Sequence, residues 1–264
     1  MFLALDIGNT NITIGLFKFE NGKAAESPAK VWRMSTEKGQ TADEYGTLLM
    51  DMFYYSGFNA AEVSYVGAAS VVPSLNSVFE EFVKKYFNKK IFFVNYLNRG
   101  GLKFAAGNPK EAGADRIADA IAAYSHYGGG TVVIDFGTAT TFDCIDQKGR
   151  YLGGSIAPGP AMSAQSLSLK TSQLPHVEIK KPAKSIGTAT VECIQSGLYF
   201  GYIGLVKEII ARIKKEMKVN NIIATGGLAE FMSGEIEEIK SICPDLTLEG
   251  IKIIWEKSYK VGKK

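Results

Sequence analysis

Cysteine is scarce in this 264-residue chain: Cys144, Cys193 and Cys243 stand far apart, odd in number and without Cys-x-x-Cys spacing. That argues against a disulfide framework and a thiolate zinc site, and it predicts reduced thiols in a reducing compartment. Histidine is scarcer still. His126 and His176 are isolated, so ordinary satisfied side chains are expected of them, not metal ligation. No apolar run approaches the roughly 18 residues of a membrane span. The first apolar stretch meets Asp6 early and lacks a basic leader, so no secretory signal is expected. Charge of one sign is lacking too, the net being only +3. Lys180, Lys181 and Lys184 are interrupted by Pro182, while Lys257, Lys260, Lys263 and Lys264 read as a solvated tail; neither makes a nucleic-acid patch. There is no Gly-x-x-x-x-Gly-Lys phosphate loop and no protein-kinase signature set. A cytoplasmic globular protein with neither a membrane nor a nucleic-acid partner is the expectation.

What is present is a motif that occurs twice. Residues 6–14 read DIGNTNITI after the apolar run Phe2-Leu3-Ala4-Leu5; residues 135–143 read DFGTATTFD after Val132-Val133-Ile134. Each copy is a buried-strand pattern that delivers a carboxylate into a tight glycine turn and then enters a second β-branched run. One Asp-x-Gly is weak, but two at equivalent places predict a duplicated α/β domain whose facing hairpins close on a polyphosphate.

The order of elements repeats as well. Residues 2–6, 11–18 and 30–34 read as strands. The spacing of Tyr45, Leu48, Leu49, Met52 and Phe53 predicts a helix over 42–56. A strand at 65–69, a helix opened by Pro73 and a strand at 91–94 follow. In the second half, strands are expected at 131–135, 140–146 and 151–156, where Pro158-Gly159-Pro160 breaks the run. A long helix is expected from Thr190 to Met217, a strand at 221–224, then a final helix and a short closing segment. The boundary is placed near residue 110, giving domains 1–110 and 111–264 and a helix from Lys110 to Tyr127.

The turns carry the chemistry. Backbone amides around Gly8, Asn9, Thr10 and Asn11 make a nest for phosphate oxygens, glycine allowing close approach. Asp6 repels phosphate, so its sensible role is to hold a metal ion that bridges phosphate oxygens, directly or through water. Asp135 has the same logic, although both acids could simply cap their turns. Thr225-Gly226-Gly227 follows a strand and fits a nucleotide base or ribose lying against a helix start. Gly113-Ala114-Asp115-Arg116 opens an alanine-rich helix at the junction of the halves. Asp115 there can cap the helix, or accept or orient a substrate hydroxyl proton. Arg116 can hold a carboxylate or phosphate oxygen with its planar fork.

With these residues in view the chain resembles the type III pantothenate kinases of the acetate kinase, sugar kinase, Hsp70 and actin superfamily, over essentially its full length. The matching segments are DIGNTN at 6–11, NP and GADR within 108–116, DFGTATT at 135–141, GGSIAPG at 153–159, IGTAT at 186–190, QSGLYFG at 195–201 and TGG at 225–227. The resemblance implies two actin-like (ribonuclease H-like) domains flanking an ATP cleft, and phosphorylation of pantothenate to 4′-phosphopantothenate, the first step of coenzyme A biosynthesis. It implies ATP-binding residues Asp6, Ile7, Gly8, Asn9, Thr10, Asn11, Ile12, Thr13 and Thr138, with Gly226 and Gly227 beside the nucleotide. It implies Asp115 as general base, pantothenate contacts at Gly113, Ala114, Asp115, Arg116 and Thr190, and Asp135 as ligand of K+ or NH4+, with Mg2+ near Asp6. Similar proteins are homodimers. Two positions depart from the common pattern: Ala106 where many members carry Tyr, and Ala189 where many carry Asn. Another small-molecule kinase on this fold and a non-catalytic nucleotide-binding regulator are the rival readings.

Overall fold

The computed structural model of the chain describes residues 1–105 and 107–261, so Ala106 lies outside the described residues, as do Lys263 and Lys264. Two compact units emerge, one of Met1–His126 with the segment from Asp245 onward, the other Tyr127–Pro244. The sequence reading places the division near residue 110, where Asn108-Pro109 looks like a break. Periodicity reveals that a helix has an apolar face but not which sheet that face meets.

In the first unit β1 (Phe2–Ile7) pairs antiparallel with β2 (Asn11–Phe17), which pairs with β3 (Lys30–Ser35). Helix α1 (Ala42–Tyr55) follows, opened by a capping box in which the Thr41 hydroxyl accepts from the Glu44 amide while Glu44 accepts from the Thr41 amide. Strand β4 (Tyr65–Ser70) lies parallel to β1, and α2 (Pro73–Phe87), with proline at its first position, leads to β5 (Ile91–Phe93). The sheet order is β3-β2-β1-β4-β5. Because strand side chains alternate, Leu3, Leu5, Ile7, Ile12 and Ile14 share one face. They build a core with Tyr45, Leu49 and Phe53 of α1 and Phe79, Phe82 and Val83 of α2. Asp6 falls on the other face. The unit ends with α3 (Ala114–Tyr127), which starts at Ala114 and not at Lys110; a single 3-10 turn at Pro109–Glu111 precedes it.

The second unit repeats the plan. Strand β6 (Thr131–Phe136) pairs antiparallel with β7 (Ala139–Ile145), and β7 with β8 (Arg150–Pro158). Helix α4 (Pro160–Lys170), which the sequence reading left as a break, begins with Pro160 at its first position, where a missing N–H costs nothing. Helix α5 (Thr190–Glu216) leads to β9 (Asn221–Thr225), parallel to β6; α6 (Ala229–Ser233) and β10 (Ser241–Ile242) follow. Five of the six strands of this sheet, in the order β10-β9-β6-β7-β8, repeat the order of the first sheet read from its other edge. Val132, Ile134, Phe136, Phe142 and Ala224 pack with Tyr202, Ile203, Val206 and Ile210 of α5, which sends Asp135, Thr141 and Asp143 to the opposite face.

The chain then returns to the first unit with α7 (Leu246–Val261), a full helix where a short closing segment was expected. It covers the second face of β1, β2 and β4. Trp255 stacks on Phe2 at 4.7 Å between ring centroids, and Gly67 and Gly15 give room to Ile251 and Leu248. Lys257 therefore lies on a helix and not in a tail, with its side chain exposed as expected. The contact with α3 is tight: a Cβ on Gly250 would overlap the backbone of Ala118.

Candidate active site

The turn between β1 and β2 is closed by Ile7 paired with Ile12 and by the Gly8 amide donating to the Asn11 carbonyl at 3.0 Å. A Cβ on Gly8 would come within 2.9 Å of that carbonyl, tighter than side chains tolerate, so the turn needs glycine. Thr36 locks it from behind. Its hydroxyl donates to the Gly8 carbonyl at 2.6 Å and its amide to the Thr10 carbonyl at 3.0 Å. Asn9, Thr10 and Asn11 stay exposed, and Asp6 is half-buried between Thr13 and the small Ala69. A loop with its carbonyls tied inward and small polar groups outward suits an anionic ligand. Thr36 was missed by the sequence reading, which ends the third strand at Met34; the pairing of Ser35 with Asn11 carries the strand up to it.

Asp115 stands at the same end of β1. The Val71 amide donates to the Ile7 carbonyl at 3.1 Å, and a Cβ placed on Gly113 would meet both the Asp115 carboxylate and, at 3.7 Å, the Val71 side chain. Gly113 thus gives the carboxylate its room. Asp115 Oδ1 accepts the Arg116 amide at 2.7 Å, so it does engage the first helical turn. Burial nevertheless prevails: desolvation pushes its carboxyl above the ordinary range, and the hydrogen bond and charge of Arg116 offset this only in part. Further along α3, the buried Asp119 accepts from the Thr247 hydroxyl at 2.7 Å, which fixes the helix to α7.

In the second unit Asp135 leaves β6 beside two glycine turns. A Cβ on Gly137 would lie 3.3 Å from Asp135 Oδ2, and one on Gly226 would overlap Asp135 Oδ1 and sit 2.8 Å from the backbone of Phe136. Gly226 has φ +90, outside the range of most L-residues. The Leu228 amide donates to the Phe136 carbonyl at 3.3 Å, holding the Gly226-Gly227 turn to the end of β6. Thr138 is exposed at the tip of its turn, and its carbonyl accepts the Gly159 amide at 3.0 Å. Gly159 is therefore a further constrained position, since a Cβ there would overlap the Thr138 carbonyl. Asp135 is paired in register with Thr141 on one side and Thr225 on the other. Among the described residues no group of three or more His, Cys, Asp or Glu gathers. A carboxylate flanked by threonines is a donor set suited to a hard cation.

Two sets of candidate residues are thus brought together: Asp6–Thr13 with Gly113–Arg116, and Asp135 and Thr138 with Gly226 and Gly227. Thr190 belongs to neither set by its contacts. It is the first residue of α5 and lines an apolar groove of about 420 Å³ with Leu167, Leu174, Cys193, Ile194 and Leu198. Its neighbour Ala189 is the N-cap and supplies no side-chain bond.

The chain also matches known proteins along most of its length. The family model described as type III pantothenate kinase matches residues 2–212. A protein named type III pantothenate kinase from Endomicrobium trichonymphae is 67% identical over 257 residues, 97% of this chain and 99% of its own length. One of the same name from Acidobacterium capsulatum is 42% identical, over 97% of this chain and 94% of its own. Among solved structures, a Campylobacter jejuni protein titled as a Baf family transcriptional activator superposes with a TM-score of 0.60 at 20% identity, over 98% of this chain and 99% of that one. Component A of the Acidaminococcus fermentans (R)-2-hydroxyglutaryl-CoA dehydratase gives 0.53 at 14% identity, over 100% and 99%. The structural likenesses establish the fold, that of the actin-like ATPases and sugar kinases, while the sequence matches reach further: the chain belongs to the type III pantothenate kinase family.

Proposed function

We propose that this pantothenate kinase transfers the terminal phosphoryl group of ATP directly to the primary hydroxyl of pantothenate, with Asp115 orienting that hydroxyl and taking its proton. The observation that supports it best is the placement of Asp115: a half-buried carboxyl with a raised pKa, at the end of β1 beside the turn at Gly8. Phosphoryl transfer has a loose transition state, so positioning and charge neutralisation do most of the work. In this reading residues 6–13 and Thr138 hold the phosphates, and Gly226 and Gly227 lie beside the nucleoside. Gly113, Ala114, Asp115, Arg116 and Thr190 contact pantothenate. Asp6 would hold Mg2+, directly or through water, and Asp135 a monovalent cation, K+ or NH4+. The ions supply neutralisation of phosphate charge. The enzyme works in the cytoplasm, in keeping with cysteines that form no disulfide among the described residues. It works as a homodimer, a reading supported by the exposed Ile156, Leu169, Ile186 and Val191 of the second unit.

The test offers the purified protein ATP with pantothenate, acetate or a panel of sugars. Formation of ADP with pantothenate alone is the expected result. Turnover of acetate or a sugar at comparable rate, or nucleotide binding with no product from any acceptor, would overturn the proposal.

A further inference from the structure

Thr141 lies within the second copy of the duplicated motif, and none of the roles above involves it. Register places it directly across from Asp135, with Thr225 paired to Asp135 on the other side. Partners in register share a face, with Cβ atoms about 4.5–5.5 Å apart. Asp143 follows two residues later on that face and is fully buried. Its two oxygens each accept a hydroxyl: Tyr151 donates to Oδ1 at 2.6 Å and Thr141 to Oδ2 at 3.1 Å. That is the pattern of an ionised carboxylate, which can only accept.

The consequence falls on Thr141. A threonine hydroxyl has one proton and two lone pairs. With its proton given to Asp143, the hydroxyl oxygen can only accept on its remaining side, and it has no proton for Asp135. An ionised Asp135 is itself an acceptor, so two oxygen acceptors stand across from each other on neighbouring strands. Two oxygens so placed can share a hard cation. Thr141 is half-buried, so its oxygen is not sealed in the core.

We propose that Asp143 is a positioning residue which fixes the Thr141 hydroxyl, and that the Thr141 oxygen is a second donor to the monovalent cation held by Asp135. The inference rests on the reading of Asp135 as a cation ligand. It adds that the site's preference among cations is set by a neutral oxygen whose orientation is fixed by a buried carboxylate.

The experiment measures two things on each purified variant: the K+ concentration for half-maximal activation, and the rise in unfolding midpoint produced by KCl over choline chloride without substrates. Thr141→Val suits a strand and removes only the donor oxygen. It should raise the half-activating concentration about tenfold or more, a loss on the order of one oxygen contact, and abolish the KCl-specific rise. Thr141→Ser should restore both, and Tyr151→Phe, which leaves the Thr141–Asp143 bond in place, should change half-activation less than about threefold. Should valine disturb packing, Thr141→Ala removes the same oxygen without added bulk. Unchanged half-activation in Thr141→Val or Thr141→Ala, with Asp135→Ala insensitive to K+, overturns the role of Thr141 alone. Unchanged K+ dependence in Asp135→Ala overturns the underlying site.

Discussion

Replacement of Gly226 by alanine tests the second half of the site where its geometry is tightest. The added Cβ would overlap Asp135 Oδ1 and lie 2.8 Å from both the nitrogen and the carbonyl carbon of Phe136. The carboxylate can rotate away; the backbone of a central strand cannot. The φ of +90 adds a second penalty. A left-handed conformation costs an L-residue roughly 1–2 kcal/mol, and forcing an extra carbon into a packed site about 1–3 kcal/mol. The sum is roughly 2–5 kcal/mol, and at about 2–4 °C per kcal/mol for a chain of this size the midpoint should fall by about 4–20 °C. The displaced Asp135 should also weaken K+ activation. Gly204 in α5 is the control, because nothing lies within 4 Å of where its Cβ would go. Gly204→Ala should be neutral or stabilising by up to about 1 kcal/mol. Thermal unfolding followed by circular dichroism, with a K+ titration of activity, reads both effects. A Gly226→Ala protein that melts within a degree of its parent and keeps its K+ dependence refutes the reasoning.

The raised Asp115 pKa has a sign that can be checked. A general base must be ionised to act, so kcat/KM for pantothenate should fall with decreasing pH, with an acid limb above the ordinary carboxylate range; a limb near pH 4 would contradict this. Stability runs the other way. A carboxyl whose pKa is raised on folding binds more protons when folded, so its contribution to stability is lost as pH rises through that pKa. Asp115→Asn should therefore not lower the melting temperature at pH 7. Asp135→Ala should abolish K+ activation while the protein still folds; an unaltered K+ response would reject Asp135 as the ligand. Ala189→Asn supplies the missing cap of α5 and should stabilise the chain by about 0.5–2 kcal/mol in denaturant unfolding, whereas no gain would show the cap to be satisfied already.

Much of this molecule was legible in its residues, and the exceptions have physical causes. The duplicated strands are short, apolar and bounded by glycine turns, and the structure pairs them in the same order twice. The turns at Gly8, Gly137 and Gly226 were visible because glycine, threonine and aspartate at such spacing leave few alternatives. What escaped depends on tertiary contact. Thr36 sits beyond the apparent end of its strand, and only pairing with β2 brings it to the Gly8 carbonyl. Helix α4 was hidden by Pro158-Gly159-Pro160, which breaks a strand and starts a helix in the same three residues. The return of α7 to the first unit could not be read from its own periodicity, because an amphipathic helix does not name its partner. The bond from Thr141 to Asp143 required the strand register, since its geometry depends on the pleat and not on composition.

One comparison bears most directly on catalysis: the rate of 4′-phosphopantothenate formation from ATP and pantothenate at saturating K+ and Mg2+, wild type beside Asp115→Asn. Loss of a positioned base should cut kcat by about 10²–10⁴-fold, roughly 3–5 kcal/mol of barrier, with ATP affinity held within about twofold, since a base acts on the acceptor hydroxyl and not on the nucleotide. A folded Asp115→Asn enzyme with near-normal kcat would remove Asp115 from the chemistry and with it the assignment of the first half-site.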